Sequence, residues 1–158
     1  IGHANPNYPI LKFSYFRDNI DSNCQKITII WKIDYDDKNT EIETGEYERD
    51  LLVITELKNY LENNLNIEVN IKNQYFSDFI YMFYAPKLIT SPSSFSFWPA
   101  VMSNREAVVP KCKLFCANQT PFIRNNFHWI DCNNYRIDAD QIYASKNKNQ
   151  DLIKLLQS

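Results

Sequence analysis

The amino-acid sequence predicts an α/β protein in which a parallel sheet is flanked by helices. Three observations carry this. The run Lys26-Ile27-Thr28-Ile29-Ile30-Trp31-Lys32-Ile33 is β-branched and nearly continuous in apolar character, as expected of a strand covered on both faces. After it, strand-like and helix-like stretches alternate along the chain, the order that gives parallel strands joined by crossover helices. Finally, two strand ends carry unusual polar chemistry, Lys32 to Asp37 and Thr90 to Ser96. Ligands of open α/β sheets sit beyond such carboxyl ends.

Taken in order, Gly2 to Pro9 is loop-like, with two prolines and two asparagines. Leu11 to Ile20 reads as a short helix, and the strand Lys26–Ile33 runs out into the polar loop Asp34–Asn39. From Tyr47 to Leu61 the apolar residues Leu51, Ile54, Leu57, Tyr60 and Leu61 recur at helical spacing behind an acidic first turn. Ile67 to Ile71 alternates strictly, as a strand does. Ser77 to Tyr84 reads as an aromatic helix that ends before Pro86. Leu88 to Thr90 is the next strand, with a helix running on through Met102. Glu106–Pro110 and Phe127–Asp131 are further strands, residues 111–125 are irregular, and Asp151–Leu156 is a closing helix.

At 158 residues, with 44% hydrophobic and 15% aromatic side chains, the chain reads as a folded globular protein, one domain or a domain-sized piece. A net charge of −2 without a basic stripe points away from nucleic acid and anionic membrane. No apolar run approaches the roughly 20 residues of a membrane span. Of Cys24, Cys112, Cys116 and Cys132, the second and third have a loose metal-like spacing, but no second close pair completes a zinc site. The four thiols are paired in an oxidising lumen or reduced elsewhere. Asn118-Gln119-Thr120 is a formal glycosylation sequon. The only glycines are Gly2 and Gly45, so a glycine-rich phosphate loop is excluded and phosphate binding would use a helix start.

The stretch from Leu88 to Ala100 supplies such a start. Its apolar strand stops at Thr90-Ser91-Pro92-Ser93-Ser94-Phe95-Ser96, which reads as a tight turn and the first turn of a helix. Amides there lack intrahelical partners, and Ser93, Ser94 and Ser96 add hydroxyls, together an anion seat suited to phosphate. The competing interpretation is an ordinary serine N-cap beside a turn proline.

The segment from Asp78 through Trp98 resembles the last shared motif of the GT-B fucosyltransferase-like glycosyltransferases, including the α1,2- and α1,6-fucosyltransferases. In that motif an acidic residue opens a helix, a strand follows, and the strand ends in a Ser-Ser-Phe-Ser type of turn before an aromatic. Gly2-His3-Ala4-Asn5-Pro6-Asn7-Tyr8 resembles the loop that follows a His-x-Arg-x-x-Asp strand in relatives of these enzymes, as though the chain began just downstream. The resemblance covers residues 1–110 and is good across 78–110. It implies a Rossmann-like domain equivalent to the C-terminal half of a GT-B enzyme, residues 1–158 forming one nucleotide-sugar-binding domain without the upstream acceptor domain.

What the resemblance implies for function is transfer of a sugar from a nucleoside-diphosphate donor, GDP-fucose first, to a glycan or glycoprotein acceptor, with no metal and no cofactor beyond this co-substrate. Ser91, Ser93, Ser94, Phe95 and Ser96 would meet the diphosphate, whose developing charge needs stabilising as it leaves. Lys32 and Asp34 fall where the family carries a Thr-Asp-Asp base and ribose contact, although this sequence lacks that motif. Asp78 is either a donor contact or a helix-start acid. The family's diphosphate arginine has no counterpart, and spacing nominates neither Arg49 nor Arg105. His3 is either the candidate general base for the acceptor hydroxyl or an ordinary surface histidine. His128 reads as a packed or hydrogen-bonded histidine, Phe97 and Trp98 as core side chains in preference to a sugar platform, Trp31 as a packed strand residue, and Tyr35 as a ring that could stack on a base. The alternative is an inactive nucleotide- or glycan-binding module of the same fold. By analogy the compartment is the Golgi lumen, with the cytoplasm as alternative.

Overall fold

The computed structural model describes residues 9–31, 44–112, 125–137, 141 and 149–158. In chain order its elements are β1 (Ile10–Leu11), α1 (Phe13–Asn19), β2 (Lys26–Ile30), α2 (Thr44–Leu65), β3 (Glu68–Lys72) and α3 (Tyr75–Tyr84). These are followed by β4 (Lys87–Ile89), α4 (Ser94–Met102), β5 (Glu106–Lys111), β6 (Phe127–Asp131), β7 (Arg136–Ile137) and α5 (Asn149–Gln157). The predicted alternation of strand and helix is therefore present. The sequence predicts one parallel sheet; among the described residues the strands form two short parallel sheets, flanked by helices, and one antiparallel ribbon.

β2 and β3 pair in parallel, with Ile27 opposite Val69 and Ile29 opposite Ile71. β4, β5 and β6 form the second parallel sheet, with Leu88 opposite Ala107 and Val109 opposite Trp129. The ribbon joins Ile10 to Ile137 and Leu11 to Arg136 across most of the chain. Lys87 links the sheets at their starting ends. Its ammonium lies 2.6 Å from Asp21, in the turn before β2, and 3.0 Å from Glu106 at the start of β5. Burial opposes the charge on Lys87, but these two hydrogen bonds outweigh it and hold its pKa above the ordinary value.

Local sequence explains the element ends. α2 stops where Asn66 adopts a positive φ of 54°, and its amide donates to the Glu62 carbonyl at 3.0 Å. Asn tolerates this left-handed helix cap better than most residues. α3 ends before Pro86, whose ring disfavours helical backbone in the residue ahead of it. Lys58 fastens α2 to β3 by donating to the Val69 carbonyl at 2.8 Å, and it also binds Glu62. That bond to Lys58 is the main reason the Glu62 carboxyl is held below its ordinary pKa.

Side-chain alternation along β5 builds the core on both faces of its sheet. Ala107 and Val109 join Phe97, Ala100 and Phe127 under α4, whereas Val108 joins Leu11, Tyr15 and Cys132. A third cluster, Phe13, Leu57, Leu61, Val69, Ile137, Leu152 and Leu156, packs α1, α2 and α5 together with β3 and β7. β2 does not fulfil the expectation of burial on both faces. Ile27 and Ile29 pack against that third cluster, but residues 27–30 remain only half-buried in their two-stranded sheet. Among the described residues, no helix is long and apolar enough to cross a membrane.

Candidate functional site

The site is the junction of β4 and α4, at the carboxyl end of a parallel strand. Thr90 extends the β4–β5 ladder, its amide donating to the Val108 carbonyl at 2.9 Å. The chain then turns through Ser91-Pro92-Ser93, and the Ser93 amide closes the turn on the Ser91 carbonyl at 2.8 Å. Ser93 is the N-cap, with extended backbone (φ −142°, ψ 133°). Its Oγ accepts from the Phe95 amide at 3.3 Å, and its carbonyl accepts the first helical bond from the Phe97 amide at 3.0 Å.

These bonds divide the serines by what they can still offer. Ser93 uses a lone pair for the cap, which leaves its hydroxyl proton available. The Ser96 hydroxyl donates inward to the carbonyls of Ser91 and Ser93, both at 3.3 Å, so its proton is committed to the turn. Ser91 and Ser94 are exposed, with both hydroxyls open to solvent. The backbone amides of Ser94 and Ser96 lie in the first helical turn and meet no acceptor among the described residues. Phe95 contributes its amide to the cap and its ring to the neighbouring helix, where it meets Phe79 at 6.3 Å.

Asp78 belongs to the start of that neighbouring helix, α3, which begins just after β3. Gln74, the N-cap, makes no side-chain capping bond. Instead, Asp78 Oδ2 accepts from the Gln74 amide, while the Asp78 amide donates back to the Gln74 carbonyl at 2.8 Å. A carboxylate reaching back to the first free amide stabilises the positive end of the helix dipole. Its other oxygen, Oδ1, is buried and has no hydrogen-bond partner among the described residues. Thr90 Oγ1 is in the same condition. Buried polar atoms are normally paired; Tyr15 Oη and Trp129 Nε1, elsewhere in the core, are also without a partner among the described residues, so an orphan atom is not by itself peculiar to this edge.

The structure thus brings together Ser91, Ser93, Ser94, Phe95 and Ser96, with Asp78 on the adjoining helix. His3, Lys32 and Asp34 lie outside the described residues, as does Tyr35. Trp31 follows β2 and is half-buried, its amide donating to the Lys72 carbonyl at 3.3 Å. Arg49 is buried on α2, and Arg105 is exposed ahead of β5. Phe97 is packed as expected, but the expectation for Trp98 is corrected. Trp98 points outward and is exposed, because α4 turns Phe97 and Ala100 to the sheet instead. His128 is half-exposed on β6, with its Nε2 3.9 Å from the Glu106 carboxylate, so of the two readings packing is not the one seen. Thr90, which the sequence offers only as the polar end of a strand, is the residue that sequence reasoning leaves off the site. A hydroxyl directly after Leu88-Ile89 is its one signal.

Among the described residues, no group of three His, Cys, Asp or Glu side chains is arranged to hold a metal ion. Cys24, Cys112 and Cys132 are free thiols, and Cys116 and the sequon at Asn118 lie outside the described residues. Burial, with smaller contributions from Asp131 and Cys112, pushes the Cys132 thiol up to about 11. No protein-family model, curated protein or solved structure matches the chain. The class defined by fold and site is therefore an α/β protein with a serine-rich helix start at the carboxyl end of a parallel strand.

Proposed function

We propose that the chain is the donor-binding part of a glycosyltransferase of the GT-B, fucosyltransferase-like type, and that the start of α4 receives the diphosphate of a GDP-linked sugar. The observation that carries this reading is the division of hydrogen bonds at the turn. The amides of Ser94 and Ser96, with the hydroxyl protons of Ser91, Ser93 and Ser94, are unspent donors around one helix N-terminus. Such donors favour an anion, and they favour it more as charge develops on a departing diphosphate. Ser96 acts differently from the other serines, bracing the turn and contributing only its amide. The unpaired Oδ1 of Asp78 is an acceptor and repels phosphate, so its partner would be a hydroxyl or N–H of the sugar or base.

In this reading the two parallel sheets are halves of one Rossmann-like array with β2 beside β4, supported by the Lys87–Asp21 pair and by Thr28 Oγ1 lying 3.5 Å from the Tyr81 hydroxyl of α3. The strand order then reverses between β2 and β4, where such sheets bind their ligands. Lys32 and Asp34, which follow β2, would meet base and ribose, and His3 would take the acceptor's proton. The acceptor is a glycan or glycoprotein, and the compartment is the Golgi lumen.

Calorimetric titration with GDP and UDP tests the proposal on the wild-type chain, Ser94→Ala and the Ser93→Ala/Ser94→Ala double variant. Wild type should bind GDP, and the single and double variants should bind progressively more weakly, the double by about tenfold. Absence of heat with either nucleotide at millimolar concentration would overturn the reading.

A further inference from the structure

Helices α3 and α4 lie side by side, joined by the Phe79–Phe95 ring contact at 6.3 Å. Their exposed positions include large apolar side chains beside Ser77, Tyr81 and Ser94. Phe76, Ile80 and Tyr84 recur every four residues along α3, and Trp98 and Met102 are four apart on α4. All five are exposed, Phe76 by 81%, Tyr84 by 68%, Met102 by 58% and Trp98 by 53%. With large side chains presenting on the order of 200 Å² each, this face leaves roughly 600 Å² of largely apolar surface in water. That is at or above the largest patch of a typical monomer, and near the ~800 Å² each partner contributes to a stable complex.

We infer that this helix layer is the contact between two copies of the chain, packed about a two-fold axis. Two features select a second copy over another occupant. The first is area, which approaches the ~800 Å² that one half of a self-complementary interface contributes. The second is charge. Neither helix carries a Lys, Arg or Glu, and the sole Asp, Asp78, is buried. Two copies can therefore meet face to face without opposing like charges, whereas a charged partner would find nothing to pair with. Charge begins only at the rim, where the Lys72 ammonium sits 3.9 Å from the centre of the Tyr81 ring.

Sedimentation velocity over a concentration series of the 158-residue chain tests this, alongside Phe76→Asp and Trp98→Lys. Both positions are exposed, Asp suits a first helical turn and Lys a helix interior, so both variants keep the wild-type circular dichroism. Wild type should form a reversible dimer that persists in 1 M NaCl, roughly the ionic strength at which charge attractions are screened within ~3 Å. Each variant should raise the dimer dissociation constant at least about tenfold. A wild-type chain that stays monomeric at its highest soluble concentration, a dimer indifferent to both variants, or one that dissociates in salt would each overturn the inference. So would a monomer that uses this face to bind detergent micelles or neutral vesicles.

Discussion

Replacing Thr90 by Val should strengthen the fold and weaken the site together. Thr90 is 1% exposed, its backbone amide is satisfied by Val108, and its Oγ1 has no partner among the described residues. Val has the same shape and the same β-branched preference for extended backbone, so the swap removes only the stranded hydroxyl. An unpaired buried polar group costs roughly 1–3 kcal/mol, which sets the gain on its removal at about 1 kcal/mol at the least. For a chain of this size that gain raises Tm by roughly 2–4 °C. If the hydroxyl is there to meet a bound nucleotide, the same variant should bind GDP about tenfold more weakly, the worth of one hydrogen bond. Thr90→Ser is the control: it keeps the hydroxyl and loses a methyl, so it should lose about 1 kcal/mol of stability and keep its affinity. Urea unfolding supplies the first quantity and calorimetry the second. A Thr90→Val chain that is less stable than wild type, or that binds GDP unchanged, would refute the reasoning.

The remaining predictions concern the elements around the site. Ser93→Ala removes the α4 cap and should cost about 1 kcal/mol in urea unfolding. Lys87→Met severs the pairs with Asp21 and Glu106; because both acids are substantially exposed, the loss should be about 1 kcal/mol at low salt and smaller in 1 M NaCl. The Cys132 thiol, raised from 9.0 to about 11, stays protonated in the fold at a pH where the unfolded chain ionises. Its contribution is complete below pH 9 and is lost as pH rises toward 11, by roughly 2–3 kcal/mol. Cys132→Val should accordingly show a shallower fall in stability than wild type across that window.

The sequence discloses much of this architecture because most elements announce themselves locally. Leu57 and Leu61 recur at helical spacing, residues 67–71 alternate, and the hydroxyl cluster after Ile89 interrupts an apolar run at the place where α4 starts. The β1–β7 ribbon has no such signal. Two residues carry no periodicity, and Ile10 finds Ile137 only through the packing of the whole chain. Division of the strands into two sheets is equally silent, since β3 is followed by β4 in sequence but β4 pairs with β5. Aromatic character misleads as to direction: Phe97 and Trp98 are adjacent, yet helix geometry sends one inward and the other to solvent. At the site, residue types were readable, but their hydrogen-bonding roles were not. That Ser96 spends its proton on the turn while Ser93 keeps its own depends on carbonyl positions that only the folded turn defines.

Backbone amide shifts during titration with GDP, set against guanosine as the phosphate-free control, examine the start of α4 most directly. Saturable displacement of the Ser94 and Ser96 amide resonances by GDP, with none at those two positions from guanosine, is the outcome expected of a diphosphate seated there. Resonances of Ser94 and Ser96 that stay fixed at millimolar GDP, or that move equally with guanosine, would contradict it.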